Sequence, residues 1–400
     1  MVWVFEEFEL DVEQFELRRA GEQVPVEPQV FDVLAYLIER SDRVVPKTEI
    51  LDAVWGDRFV SESALTSRIK AARQAVGDDG TTQKVIRTVF GRGYQFVADL
   101  DQVAGRKRAV EPEGERRSGA AAQEIRFCQT PDGARLAYAV MGEGPPLVRS
   151  AHWLTHIDDD LHSPVWRHWL EGLSRNRTLI RYDERGCGMS DHDIAEFSTE
   201  KFVTDLETVV DAAGLERFDL LGVSQGGPVA IVYAVRHPDR VRRLVLYGTY
   251  TQGRRVRARD DREAREARLQ QELASIGWGR ADNSYLQFFA SQFMPDADRD
   301  LWSEFSRLQR RTTSAENATR FMEAFFEIDV LGDVPLVRAP TLILHVRGDL
   351  RVPFEHAREL ATLIEDSRLV PLDSNNHLLT ADEPAFHEFL HEVEAFLDEG

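Results

Sequence analysis

The stretch Phe218-Asp219-Leu220-Leu221-Gly222-Val223-Ser224-Gln225-Gly226-Gly227 decides how this chain is read. An apolar run leads into the pattern G-x-S-x-G, and a helical stretch, Val229–Arg236, follows. A sharp strand-to-helix turn brings backbone close on both sides, so its flanks must be small. Such a turn holds Ser224 up at the carboxyl edge of a sheet and lets the amide of Gln225 donate to an oxyanion. A serine hydroxyl needs a base, and that base needs an orienting carboxylate. Asp349 stands just after the apolar segment Thr341–Val346, and His377 lies 28 residues further on, in a loop before the last helix. Ser224, Asp349 and His377 are thus a candidate catalytic triad in the chain order Ser…Asp…His.

The surrounding pattern fits an α/β sheet. Residues 125–128 and 134–140 flank Asp132-Gly133 as a hairpin, and apolar strands are expected at 146–150, 177–182, 218–223, 243–247 and 341–346. With the loop Asp183-Glu184-Arg185-Gly186-Cys187-Gly188-Met189-Ser190, residues 125–400 resemble the α/β-hydrolase superfamily. That resemblance implies a nucleophile, an acid and a base at Ser224, Asp349 and His377. It also implies a second oxyanion amide after the third strand of the fold, here that of Trp153, where His152 replaces the usual glycine. Asn376 stands where a glycine often precedes the histidine. The long helical stretch at about 250–336 is expected to be a cap over the nucleophile. Its aromatic clusters, Tyr285–Phe289 and Phe321–Phe326, are expected to form mainly cap core. Arg254, Arg255, Arg257 and Arg259 are expected on a solvated face. His152, His156 and Asp158–Asp160 match no metal spacing and read as loop structure, and Cys187 reads as a small buried residue. No metal or cofactor is expected.

Residues 1–100 follow a different plan. Short alternating segments open the chain, and helical patterns at 28–40, 46–55 and 61–76 follow. Val85–Val89 and Tyr94–Val97 then flank the glycine-rich tip Phe90-Gly91-Arg92-Gly93 as a hairpin. Three helices and a hairpin make a winged helix. The run Ile86-Arg87-Thr88-Val89-Phe90-Gly91-Arg92-Gly93-Tyr94-Gln95-Phe96, with Val44–Leu51 and Trp55, is similar to the OmpR/PhoB transcription-regulator family. The phosphorylated receiver domain of that family has no counterpart in the sequence, so aspartyl phosphorylation is not the expected input. Residues 1–60 carry a net −8 and residues 61–100 a net +2, so positive charge gathers on the third helix and the wing. Thr66, Ser67, Arg68, Lys70 and Arg73 on the helix, and Arg87 and Arg92 on the wing, are therefore the candidate contacts to double-stranded DNA.

The fold class expected is multidomain: a winged helix (α+β) at 1–100, a charged linker at 101–124, and an α/β-hydrolase domain at 125–400. With 49 basic against 69 acidic residues in 400, the net charge of −20 excludes a uniformly basic nucleic-acid coat. Two cysteines, Cys128 and Cys187, cannot build a disulfide framework. The acidic start and the lack of a long apolar run point to a cytoplasmic chain without a membrane span. The function expected is a one-component transcription regulator. Its partners are DNA and a small apolar ester- or lactone-like molecule, with a homodimer as a further expectation. The alternative is an active serine hydrolase whose winged helix is accessory.

Overall fold

The structure is a computed structural model. The structure describes residues 2–11, 16–19, 22–24, 26, 28–41, 43–55, 62–78, 80–89, 92–98, 100–103, 123–152, 155–278 and 284–399. Two compact units part between Arg117 and Ser118.

The N-terminal unit opens with β1 (Val2–Phe5), β2 (Phe8–Asp11), β3 (Glu16–Arg19) and β4 (Glu22–Val24). Helices α1 (Pro28–Glu39), α2 (Lys47–Trp55) and α3 (Glu62–Ala75) follow, with the short strand β5 (Val45–Pro46) ahead of α2. The wing is β6 (Ile86–Val89) and β7 (Gly93–Phe96), and β8 (Asp101–Val103) closes the unit. One sheet has the order β4-β3-β2-β1-β8, the other β5-β7-β6. Residues 101–103, expected as the start of the linker, are instead a strand paired antiparallel with β1. The linker reading for 104–122 lies outside the described residues.

Periodicity explains the core of this unit. Helix α1 buries Val30, Val33, Leu34 and Leu37, and α3 buries Leu65, Ile69 and Ala72 along one stripe. They close on Phe5, Phe8, Leu10 and Phe96 from the strands. Gly93 has φ +148°, and a Cβ there would fall 1.9 Å from the Val45 carbonyl oxygen. Only glycine lets β7 approach β5 that closely.

Two buried polar groups weld α3 to the wing. The Asp78 carboxylate accepts the backbone N–H groups of Lys84, Val85 and Ile86 at 3.0 Å each. Arg73, 8% exposed, donates through Nε and Nη2 to the Ile86 carbonyl at 3.0 and 2.7 Å, and to Thr88 Oγ1 at 2.9 Å.

The C-terminal unit is built on eight strands: β9 (Gln123–Gln129), β10 (Arg135–Met141), β11 (Pro146–Arg149), β12 (Thr178–Tyr182), β13 (Phe218–Val223), β14 (Val241–Tyr247), β15 (Thr341–Val346) and β16 (Ser367–Leu372). Their order is β16-β15-β14-β13-β11-β12-β10-β9. The β9–β10 and β10–β12 pairs are antiparallel and the others parallel. The helices of the sheet layers are α4 (Ile157–Asp160), α5 (Arg167–Leu173), α6 (Thr199–Ala212) and α7 (Gly226–Arg236), then α12 (Glu355–Leu363) and α13 (Pro384–Asp398). Between β14 and β15 stand the four cap helices α8 (Asp261–Gly277), α9 (Ser284–Phe293), α10 (Arg299–Thr312) and α11 (Ala315–Phe326). Strand β13 is buried along its whole length, as a central parallel strand must be. The cap and the sheet share one apolar core.

Replacing Arg73 with Ala should destabilise the N-terminal unit by about 1–3 kcal/mol, because the Ile86 carbonyl is left buried with no donor. Hydrogen exchange of the β6 amides in the full chain should show the loss. Unchanged protection there would mean that this bridge is not structural.

Candidate active site

The sheet topology brings three distant residues to one edge. Ser224 follows the carboxyl end of β13, Asp349 that of β15, and His377 lies in the loop after β16. Ser224 has φ +52°, a strained conformation for a residue with a side chain. The surrounding contacts account for it. A Cβ on Gly222 would fall 2.7 Å from Gly227 Cα, and one on Gly227 would strike the Thr249 side chain. The Thr249 hydroxyl donates to the Ser224 carbonyl at 2.6 Å, and the Gly227 amide donates to the same oxygen at 3.0 Å.

His377 is fully buried, and its Nδ1 meets Asp349 Oδ2 at 2.7 Å. Asp349 Oδ1 accepts the amides of Arg351 and Val352 at 2.8 Å each. Burial pushes the Asp349 carboxyl up. The opposing pull of His377, His345 and the Val352 amide outweighs it, and the group sits below its ordinary value. Asp349 is therefore an ionised acceptor, which places the imidazole proton on Nδ1 and the lone pair on Nε2. That Nε2 is buried and has no hydrogen-bond partner among the described residues, Ser224 Oγ included. A resting serine–histidine bond of this kind often forms only with substrate in place. The Tyr247 hydroxyl donates to the His377 carbonyl at 2.9 Å, and the Trp169 indole donates to that of Leu379 at 3.0 Å. Gly248, at φ +56°, leaves room beside the ring, since a Cβ there would come 3.0 Å from His377 Cε1.

Of the expected oxyanion donors, Gln225 caps the N-terminus of α7, where backbone amides converge on an anion. Trp153 lies outside the described residues. His152 is buried, and its ring lies 4.6 Å from that of Trp166. Burial first, then Arg149, lowers its pKa, so it is neutral. His156 caps α4, Asp160 pairs with Arg181 at 3.1 Å, and Asp159 pairs with Arg311 at 2.8 Å. Each of these polar residues thus has a structural task. Among the described residues, no three His, Cys, Asp or Glu side chains gather as a metal site.

A narrow cleft is lined by Ser224 and Gln225, about 470 Å³ of empty space when the part open to solvent is included. Phe293, Met322, Phe325 and Phe326 from the cap line one part, and Tyr250, Arg254, Arg257, Arg351 and Val352 another. Two expectations change here. Arg254 and Arg257 belong to the pocket wall and not to a solvated helix face, because they precede α8 in the segment that leads into the cap; Arg255 and Arg259 are exposed. The aromatic clusters divide: Phe289 and Phe321 are buried in cap core, whereas Phe325 and Phe326 also wall the pocket, beside Phe293 from outside those clusters. Arg351, two residues beyond the acid, was not foreseen. Its only sequence signal is that position.

On the N-terminal unit, Thr66, Ser67 and Lys70 of α3 are exposed, Arg68 is half-buried, and Arg87 and Arg92 of the wing are exposed. Arg73 is a correction. Its guanidinium is turned inward onto Ile86 and Thr88 and is not placed to reach a base or phosphate.

Residues 158–384 match the model of the alpha/beta hydrolase fold family. The chain belongs to that family. Residues 21–96 match the model of the C-terminal domain of transcriptional regulatory proteins, and the N-terminal unit is a DNA-binding domain of the OmpR/PhoB type. The pyrrolizixenacetamide deacetylase of Xenorhabdus hominickii is 25% identical over 264 residues, which is 66% of this chain and 95% of that protein. The transcriptional regulator HilA of Salmonella typhi is 36% identical over 94 residues, 24% of this chain and 17% of its own length. Among solved structures, a hydrolase from Pseudomonas aeruginosa covers 69% of this chain and 98% of itself, with 25% identity and a TM-score of 0.57. The chain is a fusion of a regulator-type DNA-binding domain with an α/β-hydrolase domain.

A fluorophosphonate should label Ser224, and Ser224→Ala should abolish the label and nearly all ester turnover. Asp349→Asn should keep the fold but favour the wrong histidine tautomer, with a loss of about 10³- to 10⁴-fold in kcat. Labelling that persists in Ser224→Ala would place the nucleophile elsewhere.

Proposed function

We propose that this chain is a one-component transcription regulator: the winged helix binds duplex DNA, and the hydrolase unit senses or processes a small ester-, amide- or lactone-like molecule. The single observation that carries the reading is the presence, in one chain, of a regulator-type DNA-binding domain and of a sheet edge that holds both the Asp349–His377 pair and the strained Ser224 turn. A freestanding hydrolase has no chemical use for an exposed basic helix and wing. The apolar cap side chains over Ser224 suit the carbon skeleton of a small ligand.

Attack would proceed by transfer of the Ser224 proton to His377 Nε2 and addition of Oγ to the carbonyl carbon, with Gln225 N–H and a second amide on the oxyanion. His377 would then return the proton to the leaving group, and water would release the acyl chain by the same route. A bound ligand, or a persistent acyl adduct, would be the signal. Paired winged helices on repeated half-sites would make the working form a homodimer. Action on the chromosome supports a cytoplasmic location. Among the described residues no helix is long and apolar enough to cross a membrane.

A second reading is favoured by the ordered acid–base pair: a working hydrolase with the winged helix in an accessory role. The similar Xenorhabdus protein is named for removal of an acetyl group, which is hydrolysis at an acyl carbon.

Full-length protein should shift duplex DNA in a gel. Lys70→Ala, Arg87→Ala and Arg92→Ala should each weaken binding, a lost phosphate contact lowering the salt slope by about one and a lost base contact costing about 1–3 kcal/mol. Binding that survives all three substitutions unchanged would contradict the assignment of this face.

A further inference from the structure

The cavity over Ser224 carries more positive charge than an apolar ester needs. Arg254, Arg257 and Arg351 all line it, and each is only partly exposed. Among the described residues none of the three guanidiniums is joined to a carboxylate by a hydrogen bond or ion pair; the Asp349 contact of Arg351 is made by its backbone amide. Arg254 Nη2 donates to the Arg351 carbonyl at 2.9 Å. Arg351 Nη1 donates to Gln292 Oε1 at 3.5 Å, and its guanidinium lies 5.2 and 5.0 Å from the ring centres of Phe289 and Phe293. Arg257 Nη1 donates to His356 Nε2 at 2.8 Å, so that His356 is a neutral acceptor. Burial, followed by the charge of Arg257, pushes the His356 pKa down to about 4, in keeping with that role. Glu263 and Glu359 act on Arg257 without touching it, and the Asp349 charge near Arg254 and Arg351 is committed to His377.

Three guanidiniums facing neutral acceptors in a partly desolvated pocket are an uncompensated cost to the folded chain. Burial first, and then Arg351 and Arg257, bring the Arg254 pKa down to about 9; burial also lowers those of Arg257 and Arg351. Five N–H donors per guanidinium leave several for a ligand, in the planar fork that suits a carboxylate. Phe293, Met322, Phe325, Phe326 and Ser224 line the same cavity, with the Arg351 guanidinium against the Phe293 ring. The cavity thus combines cationic side chains, apolar side chains and a nucleophile.

We propose that the ligand of this pocket is a small carboxylic acid that also carries an ester-type carbonyl, its carboxylate held among Arg254, Arg257 and Arg351 while the carbonyl faces Ser224. The proposal rests on the reading of the Ser224 cavity as the ligand site. It adds that ligand's charge. Hydrolysis of such a compound would cleave the acyl–oxygen bond, with the acyl group passing to Ser224 Oγ and then to water, the alcohol taking a proton from His377, and a second carboxylate appearing in the product.

Two measurements on the full chain separate the proposal from the nucleophile assignment. In the first, mono-p-nitrophenyl glutarate is compared with p-nitrophenyl valerate, which has the same chain length and no charge. The anionic ester should be preferred at least tenfold in kcat/KM. That preference should fall at least tenfold in Arg254→Gln and in Arg351→Gln, and should persist in Arg255→Gln, a control on the exposed neighbour. In the second, dicarboxylates of four to eight carbons and their diamides are titrated calorimetrically, a readout that needs no turnover. At least one diacid should bind tenfold more tightly than its diamide and lose that advantage in both pocket variants. If Ser224 is labelled by fluorophosphonate but the neutral ester and the diamides do as well as their anionic counterparts, the nucleophile stands and the anionic ligand is wrong. If no diacid is preferred in either measurement, the proposal is overturned whatever the fate of Ser224.

Discussion

A hydrogen bond of 2.7 Å between two buried side chains, His377 and Asp349, holds the hydrolase unit in a shape that can do chemistry. It ties the loop after β16 to the loop after β15, and the elements around it are arranged to keep it. Two backbone amides fix the second carboxylate oxygen, and the β14 tyrosine holds the histidine carbonyl. Phe293, the last residue of α9, lies edge-on to the imidazole, and its carbonyl accepts the Leu378 amide at 3.1 Å. The cap is thereby attached to the His377 loop itself. In the proposed regulator, a ligand that shifts the cap would reach His377 through this contact.

The turn at Ser224 was readable because backbone crowding leaves so few choices there. Gly222 and Gly227 are required by contacts of 2.7 Å or less, and such constraints leave a local signature. Asp349 and His377 were legible through order and position, each in a loop at a strand's carboxyl end. The three helices of the N-terminal unit declared themselves by period, since the buried stripe of α3 recurs at helical spacing, and α7 by its place after the turn at Ser224. Strands β4, β8 and β16 did not. They are short or mixed in polarity and owe their state to the neighbours they pair with.

The charged residues were the least legible. In sequence, Arg73 looks like Arg68 and Lys70, a cation on a helix offered to DNA. The structure turns it inward because the Ile86 carbonyl needs a donor. Arg254 and Arg257 look like Arg255 and Arg259, yet only the first two meet the cavity. What separates them is the path of the chain from β14 into α8, which no local pattern encodes. A guanidinium carries no mark of what it will face, so the pattern that offered Arg73 to DNA, and Arg254 and Arg257 to solvent, could not show the partners each of them meets.

In the proposed regulator, occupancy at Ser224 is communicated to the winged helix. The direct measurement is the affinity of the full chain for its DNA site, at fixed salt, before and after a fluorophosphonate adduct has been placed on Ser224 and verified by mass. The expected change is about 5- to 150-fold, corresponding to a coupling of about 1–3 kcal/mol, with no change when Ser224→Ala is treated in the same way. Equal affinity in the free and fully adducted protein would contradict it, leaving a DNA-binding domain and a hydrolase joined in one chain without a signal between them.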